Sequence, residues 1–231
     1  MIKVVFFDFF NTLVRYEPLR EEIQARAAAA CGLKTDHEGI VRGYTAADLF
    51  MTRQNARKHF QKLEPAARAD FFAEYERLLL AGAGLDVSRE VALKVWEKVS
   101  ATPTELAPFP DALPTLKDVK ARGLKTGLLS NIYRDLDEAC AELGLADDLD
   151  IKVSSREAGA EKPHAPIFLM ALERAGVRPG EAMHVGDQYE GVVVGARAVG
   201  IRPVLLDRTG SLAHYADVTR IRTLPEVLTL L

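Results

Sequence analysis

The chain has 231 residues, 48% of them apolar and 27% charged, with a formal net charge of −3. That length and balance fit one sizeable soluble core, or a core with a smaller insert. Without a basic block the sequence argues against nucleic acid or an anionic membrane surface as partners, and its longest apolar runs fall well short of the roughly 18 residues of a membrane span.

The chain opens on residues 3–14, Lys-Val-Val-Phe-Phe-Asp-Phe-Phe-Asn-Thr-Leu-Val. A run so rich in Val and Phe predicts a strand buried on both faces, as in a parallel sheet. Asp8 falls where the strand runs out, the edge at which open α/β sheets place ligands. An unpaired carboxylate there is costly to desolvate, so it calls for a cation, a donor set or water. A plain turn through Asn11 and Thr12 is the alternative. The chain enters this strand with no basic start, apolar segment and cleavage site before it. Cys31 and Cys140, far apart in sequence, read as free core thiols, so a reducing cytoplasmic location is expected.

Residues 17–32 are predicted helical, with Pro18 suited to a first turn and Gly32 to the stop. Residues 36–62, 65–81 and 88–100 carry apolar residues at helical spacing, among them Phe71, Phe72, Tyr75, Leu78 and Leu79, then Val91, Val95, Trp96 and Val99. A block of helices from 16 to 102, set between strands, predicts an inserted all-helical subdomain on an α/β core made of 1–15 and 103–231. Pro103, Pro108 and Pro110 mark the return linker.

From there helices and strands alternate. Helix is predicted over 111–122, 134–143, 164–175 and 190–199. Strand is predicted over Leu124–Leu129, Ile151–Val153, Ala182–Val185, Pro203–Leu206 and Val218–Ile221, before a short C-terminal helix. Helices of about ten residues between strands imply parallel βαβ units with right-handed crossovers.

Three strand ends carry polar groups: Asp8, Ser130 with Asn131, and Asp187 after Gly186. Strands that all point one way gather these groups on one edge. Lys162 follows the third strand, ahead of a helix start at His164–Pro166. Two carboxylates, a hydroxyl, an amide and an ammonium suit phosphoryl transfer, which needs a nucleophile, a cation and donors to the transferring oxygens. Paired carboxylates among oxygen donors suit Mg²⁺. Each residue has a plainer role open to it. Ser130-Asn131 can cap a helix, Gly186-Asp187 can turn the chain, Lys162-Pro163 can be a solvated helix entry, and His184 reads as a satisfied core histidine. Four plain roles falling in this order by chance is the poorer account.

The same residues resemble the four motifs of the haloacid dehalogenase superfamily. Asp8-Phe9-Phe10-Asn11-Thr12 is similar to its nucleophile motif and Leu-Leu-Ser130-Asn131 to its second. Ser-Ser-Arg-Glu157-Ala-Gly-Ala-Glu161-Lys162-Pro163, with Ile167-Phe168, is similar to the third, and His184-Val185-Gly186-Asp187, with Gly195-Ala196 and Gly200, to the fourth. The resemblance implies a Rossmann-like parallel sheet with the helical block as its cap. It implies Asp8 as nucleophile, Thr12 hydrogen-bonded to it, and Ser130 and Lys162 as phosphate donors. It further implies Mg²⁺ held by Asp8, the Phe10 backbone carbonyl and Asp187. Asn131, Arg15 and Tyr16 are candidate substrate contacts, the last two near the hinge.

Two positions depart from that pattern. The family's phosphatases carry a second Asp where Phe10 stands, which protonates the leaving oxygen and activates water. They usually carry another Asp at Val192, with Glu190 nearby here. The family's dehalogenases also lack the second Asp and need no metal, but Phe168 stands where they would have an aromatic hydroxyl. The leading expectation is a Mg²⁺-dependent phosphatase acting on a small phosphorylated metabolite, slow on poor leaving groups. A metal-independent 2-haloacid dehalogenase and a catalytically impaired protein that binds a phospho-ligand are the alternatives.

Overall fold

The N-terminal run forms β1 (Val4–Phe7) in a computed structural model of the chain, which describes residues 1–132 and 134–231. Next come β2 (Val14–Glu17), α1 (Arg20–Ala30), α2 (His37–Arg57), α3 (Pro65–Gly82), α4 (Arg89–Ser100) and β3 (Glu105–Pro108). The alternating part follows with α5 (Ala112–Ala121), β4 (Lys125–Ser130), α6 (Leu136–Glu142), β5 (Ile151–Ser154), α7 (Ser155–Ala158) and α8 (Ala165–Ala175). β6 (Ala182–Gly186), a π-helical turn at Tyr189–Val194, α9 (Gly195–Ala198), β7 (Arg202–Leu206), β8 (Arg220–Ile221) and a 3₁₀ segment at Leu224–Leu230 complete it.

The chain divides into two compact units, Met1–Arg15 with Leu106–Leu231, and Tyr16–Glu105. The first is built on a six-stranded sheet in the order β5-β4-β1-β6-β7-β8, every pairing parallel. The expected α/β class is therefore the observed one. β1 lies between β4 and β6, in register Phe6 to Gly127 and Phe6 to His184. Its side chains alternate between two cores: Val5 and Phe7 join Leu116, Leu128 and Val204 on one face, and Val4 and Phe6 join Ile167, Phe168 and Ala196 on the other. Burial on both faces explains why the run reads as continuously apolar. Gly127 makes room for it, since a Cβ there would lie 2.4 Å from the Phe6 ring. From β1 the chain goes on to β4 on one side, and from β6 to β7 on the other. The crevice beyond the carboxyl ends of β1 and β6 is thus a topological switch point.

The second unit holds α1 to α4. Gly43 and Gly82 let α2 and α3 touch backbone to backbone, for a Cβ on Gly43 would fall 2.0 Å from the Leu79 carbonyl oxygen. Aromatic rings fill the unit, with Phe72 stacked 4.0 Å from Trp96 and Phe71 edge-on to Phe72 at 5.0 Å. None of the described helices is long and apolar enough to cross a membrane.

Several elements differ from the sequence reading. Tyr16 and Glu17 are in a strand, and β2 pairs with β3 inside the stretch read as linker. Four-residue strands carry too little alternation to show as a pattern. Pro18 lies outside α1, which begins at Arg20. The predicted helix 190–199 opens as a π-helical turn instead of a regular helix, a form that recurs beside functional sites.

Candidate active site

Sheet pairing ends at Phe7, and Asp8 is the first residue beyond it, its amide donating to the Val185 carbonyl at 2.8 Å. The chain then makes a tight turn. The amides of Leu13 and Val14 both donate to the Phe9 carbonyl, at 2.9 and 3.0 Å, and Asn11 takes a left-handed φ of 56°. Asn is among the few side chains that accept that region at low strain. Phe9 is buried, and Phe10 packs edge-on against it at 5.1 Å beside the same core.

Lys162 reaches this carboxylate from the segment after α7. Its Nζ donates to Asp8 Oδ1 at 2.5 Å and to the Leu129 carbonyl at 2.7 Å, with the lysine 3% and the aspartate 8% exposed. A solvated helix entry is therefore not its role. An ammonium so deeply buried needs both partners, and it gives Asp8 the cation that the strand end called for. Asn131 fixes the lysine's backbone from both sides: its Oδ1 accepts from the Lys162 amide at 2.8 Å and its Nδ2 donates to the Lys162 carbonyl at 3.1 Å. Expected as a substrate contact, Asn131 is engaged in holding Lys162.

Ser130 ends β4 with its hydroxyl fully buried and, among the described residues, without a partner. It does not cap α6, whose N-cap is Asp135. The Thr12 hydroxyl is also buried without a partner, so the expected hydrogen bond to Asp8 is not made. A buried hydroxyl left without a protein partner is unusual, and it is free to accept or donate to a water or a ligand oxygen.

On the other side of β1, a Cβ built on Gly186 would come 2.8 Å from the Asp8 Cβ and 2.5 Å from Val192 Cγ2. Only glycine lets β6 finish this close to Asp8, and Asp187 follows directly with its Oδ1 shielded from solvent. Val192 is buried in that contact, and Glu190 lies in the same π-helical turn. Gly191 brings the turn within 4.0 Å of Lys162 Cβ when a side chain is built on it. Among the described residues no group of three or more His, Cys, Asp and Glu is placed to hold a metal. The set expected for a cation is two carboxylates and a backbone carbonyl.

His184, expected as a satisfied core residue, is fully buried edge-on to Phe168 at 5.4 Å. Burial first, and the Lys162 charge second, push its pKa well below the ordinary value, against the smaller opposing pull of the Val192 backbone. Arg15 stands with its guanidinium carbon 5.9 Å from the Phe109 centroid. Tyr16 belongs to the other unit, its phenol pushed up by burial, with Arg20 opposing and Asp48 adding to the rise.

The parallel sheet, its switch point and the order of polar strand ends match a known family. Residues 2–200 match the family model described as haloacid dehalogenase-like hydrolase, and the chain belongs to that family. It is similar to a ribulose-1,5-bisphosphate 5-phosphatase of Halopiger xanaduensis, 31% identical, over 90% of this chain and 85% of that protein. A glyceraldehyde 3-phosphate phosphatase of Methanopyrus kandleri is 32% identical over the same shares of each chain. Among solved structures, a HAD phosphatase from Thermococcus onnurineus superposes with a TM-score of 0.60 at 25% identity, covering 99% of this chain and 97% of that one.

Proposed function

We propose that this hydrolase is a phosphatase that transfers the phosphoryl group of a small phosphorylated metabolite to Asp8 and then to water. The observation that carries the reading is Lys162, whose buried ammonium sits on Asp8 and on the carbonyl of Leu129, the residue before Ser130, whose hydroxyl has no partner among the described residues. A carboxylate, a fixed cation and a spare donor on one sheet edge are what a negatively charged transition state requires. The two named phosphatase relatives make phosphorylated sugars the first class to assay.

In the first step an Asp8 oxygen attacks phosphorus, the bond from phosphorus to the leaving oxygen breaks, and that oxygen takes a proton. In the second, water attacks phosphorus, the bond to Asp8 breaks, and phosphate leaves as the water proton passes to solvent. Lys162 and Ser130 donate to the phosphoryl oxygens. Phe10 has no proton to give, so the first proton comes from another group or from solvent, and general-acid help from this position, worth about 100- to 10,000-fold, is missing. Leaving groups that need little protonation should therefore react fastest.

Asp8, the Phe10 carbonyl and Asp187 are all hard oxygen donors, and the Gly186 contact with Asp8 supports their belonging to one site. Such a set fits Mg²⁺, which when bound would neutralise phosphoryl oxygens and orient them toward Asp8.

A chromogenic aryl phosphate assayed with Mg²⁺ and with chelator is the test. Turnover should be lost with chelator and with Asp8→Asn. Turnover that survives Asp8→Asn unchanged would sink the reading. Halide release from a 2-haloacid in the presence of chelator would select dehalogenation instead, and tight phospho-ligand binding without turnover would select a binding protein.

A further inference from the structure

The turn Phe9–Val14 lies outside the sheet, yet it follows Asp8 directly and carries the Phe10 carbonyl. Phe9, Leu13 and Val14 anchor it in the core through their side chains. Its backbone carbonyls are held from outside by two residues distant in sequence. The Phe109 amide donates to the Leu13 carbonyl at 2.9 Å, and Arg208 Nη2 donates to the Thr12 carbonyl at 2.9 Å.

Arg208 is itself built into place. Its two terminal nitrogens grip Asp111 in a fork, at 3.0 and 2.9 Å, and its guanidinium lies 3.9 Å from the centre of the Phe109 ring. Asp111 also accepts from the Leu224 amide at 3.0 Å. The adjoining Asp207, 1% exposed, folds the loop after β7 by accepting from the amides of Gly210 and Leu212 at 2.7 and 3.3 Å. Burial pushes the Asp111 carboxyl up, but the Arg208 and Leu224 bonds outweigh it and hold the group below its ordinary range. One guanidinium thus ties the end of β7, the start of α5 and the turn after the nucleophile. A forked, stacked arginine is rigid in a way that lysine is not.

We infer that Arg208, held by Asp111 and Phe109, is a positioning residue that fixes the turn behind Asp8 and so aims the nucleophile and the Phe10 carbonyl. The inference deepens the proposed phosphatase reading and rests on it for its kinetic consequence. A displacement of about 1 Å in a reacting group can cost on the order of 100-fold in rate.

The experiment compares wild type with Arg208→Gly, Arg208→Lys and Asp111→Asn. With an aryl phosphate, Arg208→Gly should lower kcat by about 10- to 100-fold and leave KM within about threefold, and added guanidinium should restore part of the lost kcat. Arg208→Lys keeps the charge but not the fork and should stay impaired. Hydrogen–deuterium exchange, read without substrate, should show faster exchange across residues 9–14 in each variant, reversed by guanidinium in Arg208→Gly. A lowered melting temperature with kcat and exchange of this turn unchanged would overturn the inference. If Arg208→Gly fails to fold, Arg208→Lys and Asp111→Asn decide it by the same two readouts. If wild type shows no turnover, the phosphatase reading falls while the exchange comparison still decides the role of Arg208.

Discussion

Both units bury carboxylates, and two of them, Asp8 and Glu76, are treated in opposite ways. Asp8 in the sheet unit meets an ammonium, a charge for a charge. Glu76, in the middle of α3 and fully buried, takes its hydrogen bond from the neutral side-chain amide of Gln24, which donates to its Oε1, while Oε2 is buried with no hydrogen-bond partner among the described residues. Burial pushes the Glu76 pKa up to about 7, against the opposing pull of the Gln24 bond. Asp8 is thus paired with an opposite charge, whereas Glu76 is most stable when it carries a proton. The helical unit does contain a charge pair, Arg20 with Asp48 at 2.7 Å, joined by the Tyr75 hydroxyl at 2.9 Å. That network satisfies its members and leaves Glu76 outside it.

The largest test removes the counter-charge from Asp8. Lys162→Met leaves a buried carboxylate without its cation and should cost about 3 kcal/mol of stability, since breaking a buried pair strands the remaining charge. On the proposed phosphatase reading, in which Lys162 donates to the transferring oxygens, turnover should fall by about 100- to 1,000-fold. Adding Asp8→Asn to Lys162→Met should recover much of the stability and none of the activity. Urea unfolding of the two single variants and the double variant gives the coupling, and additive losses would mean that the pair is not the unit described here.

Glu76→Gln sharpens the other half. A carboxyl whose folded pKa lies above its unfolded value near 4.5 costs nothing at pH below that value. The cost grows as pH rises toward 7 and is complete above it. At about 1.4 kcal/mol per unit the full cost is on the order of 3 kcal/mol, so Glu76→Gln should stabilise the chain by up to that amount at pH 8 and by almost nothing at pH 4.5. Chemical denaturation across that range tests it, and a variant as pH-sensitive as wild type would refute it.

Gly186→Ala probes the closeness of β6 to Asp8. Its methyl group would have to displace Val192 or Asp8 itself, and overpacking of this kind costs about 1–3 kcal/mol. Because the methyl crowds Asp8 as well as Val192, kcat should fall further than the melting temperature alone suggests. Wild-type kcat in this variant would show that the contact does not set the nucleophile's position.

The sheet and its polar edge were legible because each rested on a strong local signal. Burial on both faces made β1 a continuous apolar run, and parallel strands had to bring Asp8, Ser130 and Gly186 to one end. Lys162 stood out only through its place between strand and helix. What stayed hidden depended on partners distant in sequence. Nothing around Asn131 announces a two-sided grip on a backbone 31 residues away. Arg208 looks like any arginine after a strand, although it reaches Thr12 across 196 residues. Glu76 sits among α3's buried positions, where helical periodicity does not register that one is charged. The Thr12 hydroxyl, which the resemblance gives to Asp8, has no partner among the described residues.

The smallest effect near neutral pH belongs to His184, the counterpart of Glu76 in the sheet unit. Its folded pKa lies below the unfolded value of about 6.5, so the folded state binds fewer protons than the unfolded chain once pH drops beneath that point. Stability from this group is complete above pH 6.5 and is lost progressively as pH falls toward the folded pKa. The slope has the opposite sign to that of Glu76, so acid weakens the sheet unit through His184 while base weakens the helical unit through Glu76. His184→Leu keeps an apolar contact for the Phe168 ring and removes the titration. It should leave the melting temperature at pH 8 nearly unchanged and flatten its decline between pH 6.5 and 5, as read by calorimetry. An equally steep acid decline in the variant would assign it to other groups, and the contrast between the two units would then rest on Glu76 alone.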